Sequence, residues 1–487
     1  LDLDTMEYTP TKKRMFDTIR VGKPIKNLKK RLAAITYLDD IGAKFLWECN
    51  APMFTYTAEL IPEIADSIVE IDNAMRWGFA REVGIFDAWD AIGVEKSVNK
   101  MKEENRKIPA WVEQMLATGR KSFYEIKNGE MTYWCPVNKK PVVYKQNKKV
   151  LNLNLYKNTK NTIKRDWSAS IHDIGDGVLN VEFHSIFVPA FNPLDRSMND
   201  IMKHALDLLE TGKYKGLVVG HQGKNWCAGA NVNDFKMAID SGNLQVMDVG
   251  VKEMQDVTQR IRHSKYPVVT CPFNLALGGG FEFYACSSHT VASGELYAGL
   301  VEAIQGLIPG AGGHLRVLLN LLENNDAKNV NMNIGRQAIQ LINPLTVSRS
   351  ATDALKKGWL RKSDTIAMNS EHLLAIGKSK VLEMSDAGYE PPKYRDDLTL
   401  PGMTLRTMAS VGAKAMKAQG KISDHDELVN SKSAYVLSGG NKGGLMSKVD
   451  EQHVLDIERE CFMSLAGEPK TQDRIAHFLK TGKPLRN

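Results

Sequence analysis

The spacing of apolar residues predicts helices in the first part of the chain. Residues 61–75 carry apolar side chains three or four positions apart, beginning at Ile64, which is the period of an amphipathic helix. Pro62 suits the first turn of such a helix. Residues 84–93, with a glycine at each end, predict a second, short helix. We therefore expect residues 1–120 to form a helical domain.

The pattern then changes to one typical of β-structure. Residues 123–134 are rich in aromatic and β-type residues and are interrupted by Asn128-Gly129, a strong signal for a hairpin turn. A stretch rich in lysine and asparagine follows, which is typical of a linker between domains. We assign residues 121–168 to a β-hairpin and a basic linker.

Strands alternate with helices in the next part of the chain. Residues 170–183 predict a hairpin around Asp176-Gly177, and a helix near 199–210 follows. Buried strands are predicted at 216–220 and 267–270. This alternation favours a layered α/β body, which we place at residues 169–385. Residues 386–487 are expected to be helical and to complete that domain.

Composition excludes several classes of protein. The 487 residues are 43% hydrophobic and 25% charged, with a formal net charge of +7, so the chain has an ordinary globular composition. It lacks an apolar run of membrane-spanning length, and its basic residues do not form a stripe interleaved with aromatics. We therefore expect neither stable membrane insertion nor nucleic-acid binding. The first residue is Leu1 and the opening is polar, which suggests a piece of a longer protein.

The six cysteines are far apart and contain no Cys-x-x-Cys pair. This pattern argues against a zinc site and against a disulfide framework, and it favours a reducing compartment. The histidines are scattered, so we expect no metal site. Cys227 is interpreted as a small packing residue because no base is identifiable near it.

Two glutamates beside glycine-rich turns carry the candidate chemistry. Glu282 follows Gly278-Gly279-Gly280, and Glu302 opens a segment that ends in Gly310-Ala-Gly-Gly313. One carboxylate can orient and deprotonate water while the other delivers a proton. Backbone amides freed by the glycines can stabilise an oxygen on which negative charge develops. Paired in this way, these groups suit the addition of water to a polarised double bond.

Three segments together resemble the signature segments of enoyl-CoA hydratases of the crotonase superfamily. They are residues 224–235 (Lys-Asn-Trp-Cys-Ala-Gly-Ala-Asn-Val-Asn-Asp-Phe), the Gly-Gly-Gly-x-Glu segment and residues 302–313. The resemblance extends over about residues 170–370 and returns near residues 458–484. It implies the α/β crotonase fold, a ββα spiral.

The same resemblance implies roles for individual residues. Glu302 would protonate the α-carbon of a trans-2-enoyl-CoA and Glu282 would hold and activate the water, giving a 3-hydroxyacyl-CoA. The backbone N–H groups of Ala230 and Gly279 would form the oxyanion hole. The substrate, which carries coenzyme A, would contact the residues Ala228, Gly229, Gly278, Gly310, Lys480 and Lys483. The sequence departs from the family pattern in places, for example at Asn231, where an aspartate is usual.

The first domain resembles the all-α C-terminal domain of 3-hydroxyacyl-CoA dehydrogenases, on residues 70–79 and 84–93. In that family the domain packs on an NAD-binding domain, and no strand-Gly-x-Gly-x-x-Gly-helix unit is present in this sequence. We therefore expect the C-terminal part of a bifunctional β-oxidation protein whose NAD-binding domain is absent here. On that expectation this chain needs no cofactor of its own, and NAD belongs to the missing domain.

Other functions stay open at this point. The same fold supports enoyl-CoA isomerases and acyl-CoA hydrolases, and a non-catalytic acyl-CoA-binding module would also keep the amide turns. The family resemblance leaves room for a homo-oligomer or a β-oxidation complex with a thiolase. It implies a cytoplasmic, bacterial-type location.

Overall fold

The computed structural model describes residues 1–10, 14–127, 130–145, 147–343 and 345–487. These residues divide into two compact units, Leu1–Gln146 and Asn147–Asn487. The domain boundaries predicted after residues 120, 168 and 385 stay predictions. None of the described helices is both long and apolar enough to cross a membrane.

The first unit is mostly helical. Its helices are α1 (Asp17–Gly22), α2 (Leu28–Ile35), α3 (Ile41–Glu59), α4 (Ile68–Phe79), α5 (Ile85–Ile92), α6 (Val94–Glu103) and α7 (Ala110–Ala117). Its strands, β1 (Tyr124–Lys127), β2 (Glu130–Cys135) and β3 (Lys140–Val143), form an antiparallel sheet in that order. The turn predicted at Asn128-Gly129 lies outside the described residues. Since β3 lies in the segment predicted as linker, that segment is partly ordered as sheet.

Strands and helices of the first unit share one core. Trp89 of α5 stacks on Phe54 of α3 and also meets Phe123, which immediately precedes β1. Asp90 accepts the backbone N–H groups of Phe123 and Tyr124 at 2.6 and 2.9 Å. These contacts join the sheet to α5, and the burial of Asp90 raises its pKa to about 7.

Helix α4 begins later than its apolar spacing predicted. The helix starts at Ile68, and Ile64 is exposed in the preceding turn. Ser67 precedes the helix in extended backbone conformation, and its hydroxyl binds the carboxylate of Glu70. The Ser-x-x-Glu sequence is a helix start signal. It sets the first residue of the helix, although the apolar spacing favoured an earlier start. The short helix predicted at residues 84–93 is present as α5.

The second unit is built on a seven-stranded sheet. Its strand order is β12-β10-β8-β7-β6-β5-β4, with β12 to β6 parallel and β6, β5 and β4 antiparallel. A separate parallel pair, β9 and β11, carries the site described below. The strands are β4 (Thr162–Arg165), β5 (Ala169–Asp173), β6 (Val178–Phe183), β7 (Gly216–Val219), β8 (Val268–Thr270), β9 (Asn274–Leu277), β10 (His289–Ser293), β11 (Leu296–Gly299), β12 (Thr365–Ala367), β13 (Leu398–Leu400) and β14 (Gly444–Val449).

Helices cover this sheet and extend the unit to the end of the chain. They are α8 (Arg196–Glu210), α9 (Val232–Asp240), α10 (Leu244–Arg262), α11 (Gly279–Ala285), α12 (Gly313–Asn324), α13 (Met332–Ile342), α14 (Ala351–Lys357), α15 (Leu373–Asp386), α16 (Met403–Ala418), α17 (Asp424–Leu437), α18 (Glu451–Ala466) and α19 (Pro469–Thr481). Short 3-10 helices lie at Leu153–Leu155, Glu302–Gln305, Ser370–His372 and Gly440–Lys442.

The hairpin predicted around Asp176-Gly177 joins β5 to β6. Asp176 and Gly177 both have positive φ, 59° and 75°, as such turns require. The strands on either side alternate with helices as the sequence predicted. Both faces of β6 and β7 are buried, because helices lie over a mostly parallel sheet.

Candidate active site

The triple glycine forms the turn from β9 into α11. Gly278 has φ +52°, and its N–H donates to the Gly299 carbonyl of β11 at 2.8 Å. A Cβ on Gly278 would lie 2.9 Å from Oε1 of Glu302, and one on Gly280 would lie 2.4 Å from the Cys227 carbonyl oxygen. Glycine is therefore required at both positions, since any side chain would push the carboxylate or the neighbouring backbone away.

Glu282 lies on α11 and is buried. Its Oε1 accepts the backbone N–H groups of Ala311 at 2.8 Å and Gly313 at 2.7 Å. These amides belong to the glycine-rich loop at the N-terminus of α12, where the helix dipole also favours negative charge. Burial, and then the neighbouring charges of Glu302 and Glu458, raise the pKa of Glu282 well above its usual value, against the opposing effect of the two amides.

Glu302 opens the 3-10 helix that follows β11. Its Oε2 is buried and has no hydrogen-bond partner in the described part of the chain. Burial is the main reason that the pKa of Glu302 is raised to about 7, and the charge of Glu458 adds to the effect. A carboxyl group in this setting is held partly protonated near neutral pH.

The two carboxylates lie around the same glycine turn. Oε1 of Glu302 is within reach of Gly278, and Oε2 of Glu282 would lie 3.8 Å from a Cβ on Gly279. Because the charge of Glu302 helps to raise the pKa of Glu282, the pair is expected to carry one negative charge and one proton near neutral pH. The two amide hydrogen bonds favour the charge on Glu282, while the unpartnered Oε2 favours the proton on Glu302.

Two backbone amides face this turn without partners. The N–H groups of Ala230 and Gly279 donate to no atom of the described residues. They are close together, since a Cβ on Gly279 would lie 3.6 Å from the Ala230 nitrogen. Ala230 is held by its neighbours, because Leu194 donates to Gly229 and accepts from Asn231 at 2.8 and 3.0 Å. A pair of fixed, unpaired amides of this kind can receive an oxygen that gains negative charge.

The surroundings of the other residues that were predicted to contact the substrate differ from one another. Ala228 donates its N–H to the Phe191 carbonyl at 2.9 Å, and Gly229 has φ +105° and lies against the Gly278-Gly279 backbone. Gly310 is buried beside the ring of Phe462.

Lys480, at the end of α19, and Lys483, just after it, are exposed. Helix α19 stabilises the end of the 3-10 helix that Glu302 opens, because Thr471 donates its hydroxyl to the Gly306 carbonyl at 2.9 Å. Arg474 also donates to the Ala303 carbonyl at 3.2 Å. The roles of the two lysines in binding the substrate stay predictions.

A third buried carboxylate, which the sequence analysis did not single out, lies on the other side of the glycine-rich loop. Oε1 of Glu458 accepts the Gly312 N–H at 2.6 Å, and Oε2 accepts the N–H and Nδ1 of His314 at 2.9 and 2.7 Å. Nε2 of His314 in turn contacts the Ser433 hydroxyl at 3.0 Å. All three side chains are buried. Glu282 and Glu458 thus accept hydrogen bonds from alternate backbone N–H groups of the same four-residue loop.

One sequence signal could have found Glu458. It lies on α18 four residues after the buried Val454 and four before the buried Phe462. A glutamate on the apolar face of an amphipathic helix requires buried partners. His314 is one of the scattered histidines, and its spacing in the sequence offers no link to residue 458.

Cys227 is buried, and burial raises the pKa of its thiol to about 12. A thiol in that state is a packing group rather than a nucleophile at neutral pH. In the ranges that the structure describes, no group of three or more His, Cys, Asp or Glu side chains is arranged to hold a metal ion.

The buried carboxyl pair, the fixed amides and the α/β body are suited to chemistry at a polarised carbonyl compound. Comparison with known proteins agrees with this interpretation of the site. Residues 173–363 match the family model described as "Enoyl-CoA hydratase/isomerase". The chain therefore contains an enzyme domain of the enoyl-CoA hydratase/isomerase type.

The whole chain is similar to longer proteins. It is 37% identical over 487 residues to a protein of Bacillus subtilis (strain 168) named as a probable 3-hydroxyacyl-CoA dehydrogenase, covering 100% of this chain and 60% of that protein. It is 25% identical over 445 residues to a Rickettsia felis protein provisionally described as a fatty acid oxidation complex trifunctional enzyme, covering 91% of this chain and 54% of that protein. The chain thus spans somewhat more than half the length of these relatives.

Among solved structures, the chain is similar to an enoyl-CoA hydratase from Rhodobacter sphaeroides 2.4.1, at a TM-score of 0.47 and 16% identity, covering 66% of this chain and 92% of that one. A carnitinyl-CoA dehydratase from Mycobacterium thermoresistibile has a TM-score of 0.47 and 14% identity, covering 65% and 91%. The assignment of the domain rests on the family match, not on these two likenesses.

One sequence expectation is contradicted. We expected the NAD-binding domain of a dehydrogenase to be absent, yet the whole chain aligns with a protein named as a dehydrogenase. The alignment runs through both units, including the helical residues 1–120. The absence of an NAD-binding domain is therefore withdrawn. The expectation that this chain needs no cofactor of its own stays a prediction.

Proposed function

We propose that the second unit is an enoyl-CoA hydratase that adds water to a trans-2-enoyl-CoA and yields a 3-hydroxyacyl-CoA. The proposal is supported by the position of Glu282 and Glu302 around one glycine turn, together with the amides of Ala230 and Gly279, which have no partner in the part of the chain that the structure describes. An isomerisation needs one proton-shuttling carboxylate, whereas addition of water uses two.

In this mechanism the thioester carbonyl oxygen accepts the N–H groups of Ala230 and Gly279, which stabilise the enolate as charge develops. Glu282 is fixed through Oε1 by two amides, which leaves Oε2 to hold water and take its proton. The water oxygen bonds to the β-carbon. Glu302, whose raised pKa keeps a proton available, delivers that proton to the α-carbon.

Product analysis tests the reaction. The intact chain is incubated with crotonyl-CoA in isotopically labelled water, and the products are separated by chromatography and mass spectrometry. We expect a hydroxyacyl-CoA that carries one labelled oxygen. A shifted double bond would support an isomerase instead, and release of free coenzyme A would support a hydrolase. Tight binding of the ester without any product would support a binding module.

The pH dependence of hydration should report the proton on Glu302. Because the acid form is required and its pKa is raised to about 7, kcat should fall as pH rises through about 7. A glutamic acid with its ordinary pKa of 4.5 would place that fall more than two units lower. The measurement is kcat with crotonyl-CoA at saturating concentration across the neutral range.

The raised pKa of Glu302 also affects stability. Its effect has the opposite direction to that of an ion-paired carboxylate, whose pKa is lowered. Between the ordinary pKa and about 7 the folded state binds more protons than the unfolded state, so the free energy of unfolding falls as pH rises. Replacing Glu302 with glutamine should flatten this slope, which thermal unfolding at several pH values measures. An unchanged slope in the variant would contradict the raised pKa.

For the whole protein we propose a place in fatty acid β-oxidation, since relatives of the chain are named for fatty acid oxidation and for 3-hydroxyacyl-CoA dehydrogenase. The hydrated product is the substrate class of such a dehydrogenase, with NAD as its cofactor. We infer a cytoplasmic location of the bacterial type. A homo-oligomer or a complex with a thiolase belongs to the same proposal, and size-exclusion chromatography of the purified chain tests the first.

A further inference from the structure

Glu302 depends on its backbone for its position. Its Oε2 atom has no hydrogen-bond partner among the residues that the structure describes, whereas Oε1 of Glu282 is held by two backbone amides. Glu302 opens a 3-10 helix that ends at Gln305. The hydrogen bonds of a 3-10 helix have poorer geometry than those of an α-helix. Contacts from other elements are therefore needed to fix this segment.

Two side chains of α19 bind carbonyl groups of the segment. Arg474 donates from Nη1 to the Ala303 carbonyl at 3.2 Å, and Thr471 donates its hydroxyl to the Gly306 carbonyl at 2.9 Å. Because Thr471 and Arg474 are three residues apart, they lie on one face of the helix. Both are buried. The two donors restrict the peptide groups that directly follow Glu302.

The N-terminus of α17 holds the guanidinium group of Arg474. Nη1 also donates to Oδ1 of Asp426 at 2.8 Å, and Nη2 donates to the Ser423 hydroxyl at 3.2 Å. Ser423 and Asp426 form the capping box of this helix. Burial opposes ionisation of Asp426, but the Ser423 N–H and the Arg474 guanidinium outweigh it and lower the pKa of that carboxyl. The planar guanidinium is therefore fixed between α17 and the segment of Glu302.

His425 of α17 supports Thr471. Its Nε2 atom lies 2.8 Å from the Thr471 hydroxyl, which gives its own proton to the Gly306 carbonyl. Nε2 is therefore the protonated ring nitrogen, because only then can it donate to that hydroxyl. A Cβ on Gly306 would lie 2.7 Å from Nε2 of His425 and 2.9 Å from Oγ1 of Thr471. The turn after Glu302 is thus packed directly against both helices.

Helices α17 and α19 both lie outside residues 173–363, the segment that matches the family model. We propose that this C-terminal region positions the catalytic acid. Arg474 and Thr471 are the positioning residues, and they hold the segment that carries Glu302 so that its carboxyl group can deliver a proton to the substrate. The inference rests on the proposed hydratase function. A displacement of a reacting group by about 1 Å can cost about 10²-fold in rate.

Variants of the two positioning residues test this role. Thr471→Val keeps the shape of the side chain but removes the donor, and we expect kcat for crotonyl-CoA to fall about tenfold, since a small displacement costs less than about 10²-fold. Thr471→Ser keeps the hydroxyl and should restore most of kcat. Arg474→Met should lower kcat about 100-fold. KM should stay near the value of the unmodified chain, because the amides of Ala230 and Gly279 belong to other turns.

Val436→Ala is the control for lost stability. Val436 is buried at the other end of α17, so its truncation leaves a cavity in the packing of the helix and should leave kcat unchanged. Thermal unfolding checks that each variant is folded, and Thr471→Val tests the inference even where Arg474→Met does not fold.

The outcomes separate the inference from the proposed function. A kcat in Thr471→Val equal to that of the unmodified chain would overturn the inference and leave the hydratase proposal standing. An equal loss of kcat in Thr471→Ser or Val436→Ala would do the same, since it would show that any disturbance of these helices has this effect. Absence of hydration by the unmodified chain would instead overturn the proposed function.

Discussion

Replacing Glu302 with glutamine should lower kcat for the hydration of crotonyl-CoA about 10²–10⁴-fold, the contribution typical of a positioned general acid or base. Glutamine keeps the size of the side chain but cannot deliver a proton. Because Oε2 of Glu302 has no partner among the described residues, the change breaks no hydrogen bond at that atom. Binding of the ester should therefore survive while turnover is lost. The decay of the conjugated thioester absorbance measures kcat, and isothermal titration with a saturated acyl-CoA measures binding.

Glu390→Gln is the matched control for this prediction. Glu390 is exposed, so the same change of charge and shape at that position should leave kcat within about twofold of the unmodified chain. Hydration by Glu302→Gln at the rate of this control would contradict the role given to Glu302. It would leave Glu282 as the single carboxylate on which the mechanism could rest.

Replacing Glu458 with glutamine should reduce both stability and activity. The Glu458 carboxylate accepts from three N–H donors, on Gly312 and His314. A glutamine offers one oxygen and turns an NH₂ group toward the remaining donors. We expect a loss of about 3 kcal/mol in the free energy of unfolding. Because the same loop holds Glu282 through Ala311 and Gly313, kcat should also fall, by about 100-fold for a displacement near 1 Å.

The measurement pairs chemical denaturation with the hydration assay. Glu460→Gln, two residues away on the exposed side of α18, serves as the reference for both. A Glu458→Gln protein with the stability of this reference would show that the loop does not depend on the carboxylate. Reduced stability with unchanged kcat would show that Glu458 supports the fold without positioning Glu282.

Local chemistry explains why much of the site could be predicted from the sequence. Gly278 needs a positive φ and Gly280 needs close backbone approach, and both requirements are visible as glycines immediately before Glu282. Likewise the hairpin at Asp176-Gly177 and the short helix α5 follow from turn residues next to apolar runs.

Helix starts and edge strands were less predictable, because several weak signals compete there. At α4 the apolar period favoured a start near residue 61, while Ser67 and Glu70 placed it at Ile68. In the lysine-rich segment after residue 139, composition indicated a linker. Backbone pairing nevertheless makes residues 162–165 an edge strand against β5. Exposed strands at sheet edges carry charged residues, so their composition resembles that of a linker.

By itself the sequence determined which residues carry the candidate chemistry, because the glycines and glutamates of each turn are neighbours in the chain. The tertiary structure alone decided how those turns meet. It joined His314 to Glu458 across 144 residues, placed Val429 and Ser433 of α17 beside Glu302 and left the amides of Ala230 and Gly279 without partners among the described residues. It also raised the pKa of Glu302 to about 7, since burial depends on what packs around a carboxyl group and not on its neighbours in sequence.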